Sequence, residues 1–182
     1  MLSVPIKTQL TNIPAPVKLF AKRAILLLAV WVLIYHVALK PHRIPDRLLS
    51  NTTATATAAL LSAWYEPATF IEKDGWACVI INNTSVIRIG DPCNALDLMA
   101  LYIGFILCIP TNAKRVLLFI AGGIIAIFIL NTLRCNALAW LAINKNEWVD
   151  FAHKYAFTAI VYCVIFYGWV LYTNKYKSTD AE

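Results

Sequence analysis

Three polar segments interrupt an otherwise oily chain, and each carries a side chain suited to acyl transfer. In IGDPCNALDL, Asp91 can cap a helix, Pro92 suits the first helical position and Cys93 falls at the second. Exposed backbone N–H groups and the positive helix end stabilise a negatively charged sulfur there, which makes Cys93 a candidate nucleophile. Asp97 lies one turn further in on the same face and fits best beside a cation. In NTLRCN, Asn131 and Arg134 are three apart and share a helix face. Arg134 can turn inward, pair with Asp97 and offer guanidinium donors to a developing oxyanion. Asn131 can orient it or hydrogen-bond to substrate. In NKNEWVDFAHKY, Asp150 can cap the last helix and place His153 at its third position. A helix N-terminus disfavours imidazolium, leaving a neutral ring that can accept a proton.

Each residue also has a plainer reading. Cys93 can be a small packing residue, Arg134 can snorkel to headgroups, and His153 can be an interfacial histidine without chemistry. His36, beside Tyr35, and His42, after Pro41, are weaker candidates. The five cysteines are odd in number, so at least one thiol is free. No CxxC or Cys/His cluster has zinc-ligand spacing. Cys108 and Cys163 lie inside oily stretches and read as core packing. The chemistry calls for no metal and no organic cofactor.

Composition sets the stage for these residues. Of 182 residues, 60% are hydrophobic and 14% charged, with a net charge of +6. Soluble domains carry about 25% charged residues, so a solvated globular enzyme fits poorly, and so much apolar surface argues against disorder. The positive charge sits at the ends of oily stretches and forms no basic face, which argues against a nucleic-acid partner. The N-terminus is too polar, and too long before its oily run, for a secretory leader. Expected spans are Leu19–Leu39, about Pro92–Ile109, Val116–Leu130 (continuing towards Arg134) and about Tyr155–Tyr172. The Thr/Ala-rich segment Leu48–Tyr65 can be a fifth span or a partly buried helix on the outer side, and charge favours the latter. With four spans, Lys7, Lys18, Lys22, Arg23, Lys114, Arg115, Lys175 and Lys177 lie inside with Asp180 and Glu182, and the outer loops net zero. This asymmetry fits the positive-inside rule.

Between Tyr65 and Asp91, Cys78–Ile81 and Val86–Ile89 flank NNTS and predict a β-hairpin over the outer face, with a structureless polar loop as the alternative. The expected fold is an all-α polytopic membrane protein, a bundle of four to five transmembrane helices with a small extracytoplasmic β-hairpin. Residues 1–18 form a cytoplasmic tail, 19–172 the membrane domain with its outer loop at about 66–91, and 173–182 a second cytoplasmic tail. On this map Cys93, Arg134 and His153 come from three helices and meet one outer boundary. A Cys/His pair with a nearby arginine suits acyl transfer.

IGDPCNALDL, NTLRC and FAHKY together resemble the exosortase/archaeosortase family, over about residues 20–172. These are multispanning membrane proteins thought to act as cysteine transpeptidases on C-terminal sorting signals of exported proteins. The resemblance implies a catalytic Cys93, Arg134 and His153, with Asn131, Asp97 and Asn94 supporting them or binding substrate. It is greatest to short members of Bacteroidetes-type bacteria, which implies a Gram-negative inner membrane, cytoplasmic termini and a periplasmic site. Implied partners are exported proteins with a C-terminal hydrophobic helix. Many members have Gly two residues after the Cys, whereas this chain has Ala95, a change expected to narrow the space beside the nucleophile. The alternative is a non-enzymatic scaffold, membrane chaperone or export-complex subunit. A transporter would instead want ionisable groups near mid-membrane.

Overall fold

The computed structural model describes residues 14–109, 111–145 and 147–179, the last five by backbone alone. Residues 1–13 and 180–182, which include Lys7 and the acids Asp180 and Glu182, lie outside the described residues, and so do the side chains of Lys175 and Lys177. Among the described residues the chain is mostly helical, with five helices and one small antiparallel sheet.

Helix α1 spans Ala15–Ile34 with Pro16 in its first turn, and a π-helical turn, Tyr35–Leu39, extends it. None of its residues is buried. Arg43 adopts a left-handed conformation (φ 47°), turning the chain into α2, Ile44–Trp64. The Thr/Ala segment is therefore helical, and its burial is one-sided. Ser50, Thr53, Ala54, Thr57, Ala58 and Leu61 face inward at helical spacing. These small side chains let α2 lie close to the sheet and to the upper part of α4. The observed core there joins Ala54, Ala58 and Leu61 to Val79, Ile81, Ile89, Cys135 and Ala139.

The sheet has three strands, not the expected two: β1 Ala68–Lys73, β2 Trp76–Ile81 and β3 Thr84–Ile89, in the order β1-β2-β3. The β2–β3 hairpin was legible in the sequence, although Thr84 and Ser85 belong to the strand and the turn is Asn82–Asn83. Strand β1 is the addition. Its turn, Asp74–Gly75, is the dipeptide a type I′ hairpin favours, and both residues have positive φ (51° and 76°).

A 3-10 turn, Asp91–Cys93, precedes α3, Leu96–Cys108. Helix α4 runs unbroken from Ala113 to Ile143, started by the Asn112 side chain, which accepts from the Lys114 N–H. The last helix begins at Val149–Phe151, passes through a π turn at Ala152–Ala156, and continues as α5, Phe157–Thr179. Helices α3, α4 and α5 share a core of Met99, Tyr102, Ile106, Ile127, Val161, Ile165 and Tyr172. The Tyr102 ring lies on Gly123, and its hydroxyl donates to the Phe119 carbonyl at 3.0 Å.

Among the described residues, two helical segments are long and apolar enough to cross a membrane, Ala113–Ile143 and Val149–Asn174. Of the other two expected spans, α1 carries Lys18, Lys22 and Arg23 in its first half. Helix α3 has 13 residues, about 20 Å at 1.5 Å per residue. Cys108 is buried as expected, but Cys163 is exposed on the outer surface of α5 and packs no core. All five cysteines are free.

One end of the bundle gathers basic residues. Arg23 Nη1 donates to the Cys108 carbonyl at 3.3 Å, and Arg115 Nη2 donates to the Tyr172 carbonyl at 2.6 Å. On α4, Arg134 lies 19 residues beyond Arg115, about 28 Å along the axis, which is close to the ~30 Å hydrocarbon thickness of a bilayer. The buried residues of α4 all lie from Ile127 onward, where the helix reaches the sheet.

Candidate active site

Cys93 does not sit on a helix. It was expected at the second position of a helix capped by Asp91, but the chain forms a single 3-10 turn closed by Cys93 N–H to the Gly90 carbonyl at 2.8 Å. Ala95 then takes a left-handed conformation (φ 64°) before α3 begins at Leu96. Asp91 caps nothing and pairs instead with Arg43, at 2.6 Å. That hydrogen bond is the main cause raising the Arg43 pKa above its ordinary value. Arg43 also donates to the Gly75 carbonyl at 2.9 Å, tying the 3-10 turn to the β1–β2 turn. Trp76 covers Gly90 so closely that a Cβ there would collide with the ring.

Two buried amides hold the turn. Asn94 donates through Nδ2 to the Asp46 carboxylate at 2.9 Å and the Asp46 carbonyl at 3.3 Å, while its Oδ1 accepts the Leu96 N–H at 2.9 Å. The helix-starting contact expected of Asp91 therefore falls to Asn94. Asn131 donates to the Cys93 carbonyl at 2.8 Å, and its Oδ1 faces Arg134 Nη1 at 3.5 Å. One amide thus touches both the backbone of the thiol and the guanidinium. Asp46 was not singled out from the sequence. It is 1% exposed and also accepts from the Tyr35 hydroxyl at 3.1 Å. An acid near the start of an N-terminal helix gives no sequence signal that it will meet an asparagine 48 residues away.

The Cys93 Sγ lies 3.8 Å from His153 Nε2, within range of a thiol–imidazole hydrogen bond. His153 stands in the π turn, where its position is set by a helix whose cap residue is Trp148. Asp150 was expected to be that cap and instead lies inside the first turn. Arg134 lines the same cavity, of about 270 Å³, as Cys93 and His153. Its Nε is buried and, among the described residues, has no hydrogen-bond partner. Asp150, Arg88 and Cys135 border the cavity as well.

Of the six residues singled out from the sequence, four are linked by these contacts or by the shared cavity: Cys93, Asn131, Arg134 and His153; Asn94, next to Cys93 in the chain, bonds to Asp46 and Leu96 and does not line the cavity. Asp97 stands apart, exposed in the first turn of α3 and without an ion pair to Arg134. Its expected alignment with Cys93 required a continuous helix, which the bend at Ala95 breaks. Nor does Ala95 narrow the space beside the nucleophile. Its methyl group packs in the core with Met99 and Tyr102, and it does not line the cavity.

His36 Nδ1 lies 3.0 Å from the carbonyl of Val32, one turn back, and does not line the cavity. No known protein family, curated protein or solved structure matches this chain.

Proposed function

We propose that this chain is a membrane-embedded cysteine endopeptidase or transpeptidase that processes the C-terminal sorting signal of exported proteins. The observation that carries the reading is the 3.8 Å approach of Cys93 Sγ to His153 Nε2 on a cavity that Arg134 also lines. A nucleophile, a base within hydrogen-bond reach and a cationic donor make a constellation for acyl transfer.

His153 takes the thiol proton as Cys93 sulfur bonds to the scissile carbonyl carbon, and the oxyanion that forms is met by Arg134. The tetrahedral intermediate then collapses. The C–N bond breaks, His153 returns the proton to the leaving amine, and a thioester remains on Cys93. Attack by water gives a cleaved protein and attack by an amine gives a transferred one; either regenerates the thiol.

The membrane setting is part of the same proposal. The chain is a multi-pass inner-membrane protein of four spans, with cytoplasmic termini and a periplasmic site. Large apolar residues exposed on α1, α4 and α5, among them Leu26, Leu33, Leu118, Ile125, Phe166 and Leu171, suit a lipid environment. The ~28 Å between Arg115 and Arg134 suits a bilayer whose inner face meets Lys18, Lys22, Arg23, Lys114 and Arg115.

The test has two parts. A membrane-impermeant maleimide added to intact spheroplasts labels Cys93; labelling only after the membrane is opened overturns the topology. Cys93→Ala inserts normally and abolishes cleavage of an exported protein carrying a C-terminal hydrophobic helix. Cleavage that persists in Cys93→Ala leaves the scaffold role as the better reading.

A further inference from the structure

We propose that the free edge of β3 is the substrate platform, on which an extended peptide adds as a fourth strand with its scissile carbonyl at Cys93. This rests on the processing reading and specifies how the substrate is held.

Among the described residues strand β3 is an edge strand, paired only with β2. The cavity that holds Cys93 and His153 is lined by four consecutive β3 residues, Val86 to Ile89. Beyond the irregularity, Ile87, Arg88 and Ile89 alternate between opposite faces, so a cavity touching all three runs along the strand's edge. Four residues are about 13 Å of strand at 3.3 Å each, room for a short extended segment.

The ladder fixes which backbone groups are free on that edge. Both hairpins have two-residue turns with positive φ at each position, so Lys73–Trp76 and Ile81–Thr84 are the hydrogen-bonded closing pairs. Counting from Trp76, Cys78 bonds to β1. Counting from Ile81, Val79 and Ala77 bond to β3. The two counts agree on β2 across the irregularity at Val79–Ile80. Cys78 therefore faces Arg88 as a non-hydrogen-bonded pair. The N–H and C=O of Arg88 point off the free edge, and Arg88 lines the cavity.

The opposite wall is one face of α4, formed by Cys135, Leu138 and Ala142. A groove with an N–H and a C=O on one side and small apolar side chains on the other suits an extended peptide of modest apolar residues. An acyl chain would leave the Arg88 amide and carbonyl unused.

The test uses the full-length protein in detergent and an acetyl-Ala-Val-Ala-Ala chloromethyl ketone, with chloroacetone as the reference electrophile. In each, the Cys93 sulfur displaces chloride, forming C–S as C–Cl breaks. The peptidyl reagent is expected to alkylate Cys93 at least tenfold faster than chloroacetone. N-methylation of one amide, the one that meets Arg88, removes this advantage on the unmodified protein. Arg88→Pro, which deletes the outward N–H, brings the peptidyl rate down to that of chloroacetone. Equal rates for the two reagents, no effect of N-methylation at any position, or an equal advantage for decyl chloromethyl ketone overturns the pairing while leaving the nucleophile in place. Failure of chloroacetone to alkylate Cys93 overturns the processing reading, and the platform falls with it.

Discussion

Asn131 donates to the carbonyl oxygen of Cys93 at 2.8 Å, so the long helix α4 grips the backbone of the thiol-bearing turn. The same side chain faces Arg134 through its other end. Asn131 is 2% exposed, and water cannot replace it. Asn131→Leu should leave the Cys93 carbonyl unpaired, at a cost of about 1–3 kcal/mol to stability. Processing should fall by more than this global loss explains, because thiol and guanidinium lose their common anchor. Comparing kcat with thermal unfolding checks this: a purely structural residue would lower Tm and leave kcat per folded molecule intact.

Arg134→Lys keeps the charge and loses the planar fork. If the guanidinium meets the oxyanion, kcat should fall by about 10²–10³, as when a single oxyanion donor is removed. KM should change little. Single-turnover cleavage by the variant at the wild-type rate would take Arg134 out of the mechanism. His153→Gln should remove the base, and a bell-shaped pH–rate profile in the wild type should lose one limb in the variant.

Asp46 receives hydrogen bonds from Asn94 and Tyr35 while buried. Asp46→Ala strands two donors, and unfolding in detergent should show a loss of about 2–4 kcal/mol. Tyr35→Phe removes one of these bonds and should cost about 1 kcal/mol. A loss in Asp46→Ala no greater than in Tyr35→Phe would show that the Asn94 contact carries no weight.

Gly122 and Gly123 are neighbours on α4 with opposite surroundings. A Cβ at Gly123 would collide with the Tyr102 ring, whereas nothing lies within 4 Å of one at Gly122. Gly123→Ala should destabilise by about 1–3 kcal/mol through overpacking between α3 and α4. Gly122→Ala should be neutral or stabilising by up to about 1 kcal/mol, from helix propensity. Thermal unfolding of the matched pair checks the α3–α4 contact directly.

Glu72 on β1 accepts from Arg47 at 3.0 and 3.3 Å and from Asn51 at 3.3 Å, both on α2. The Arg47 contact is the main cause holding its carboxyl below the ordinary glutamate value. A depressed folded-state pKa means that the tie is fully present above the unfolded value and is lost as pH falls through the folded one. The protection factors of the β1 amides, corrected for the intrinsic exchange rate at each pH, should therefore fall on acidification below about pH 4.3. Glu72→Gln should remove that step; an unchanged acid step would place its origin elsewhere.

The residue types and their order were readable from the chain alone. Cys93, Arg134 and His153 stand out because polar groups beside long apolar runs have few other reasons to be there, and NNTS between two apolar runs marks a hairpin by its turn chemistry. Asp74–Gly75 marked a second hairpin just as legibly. Tertiary structure alone decided how the residues meet. Local rules favoured Asp91 and Asp150 as caps and a helix carrying Cys93 above Asp97. Contacts from far along the chain overrode them: Arg43 took Asp91, Asp46 fixed Asn94, and Ala95 turned left-handed so that Cys93 could face His153. Capping propensities amount to about 1 kcal/mol, and a set of buried and half-buried hydrogen bonds across 38 to 60 residues of sequence outweighs them.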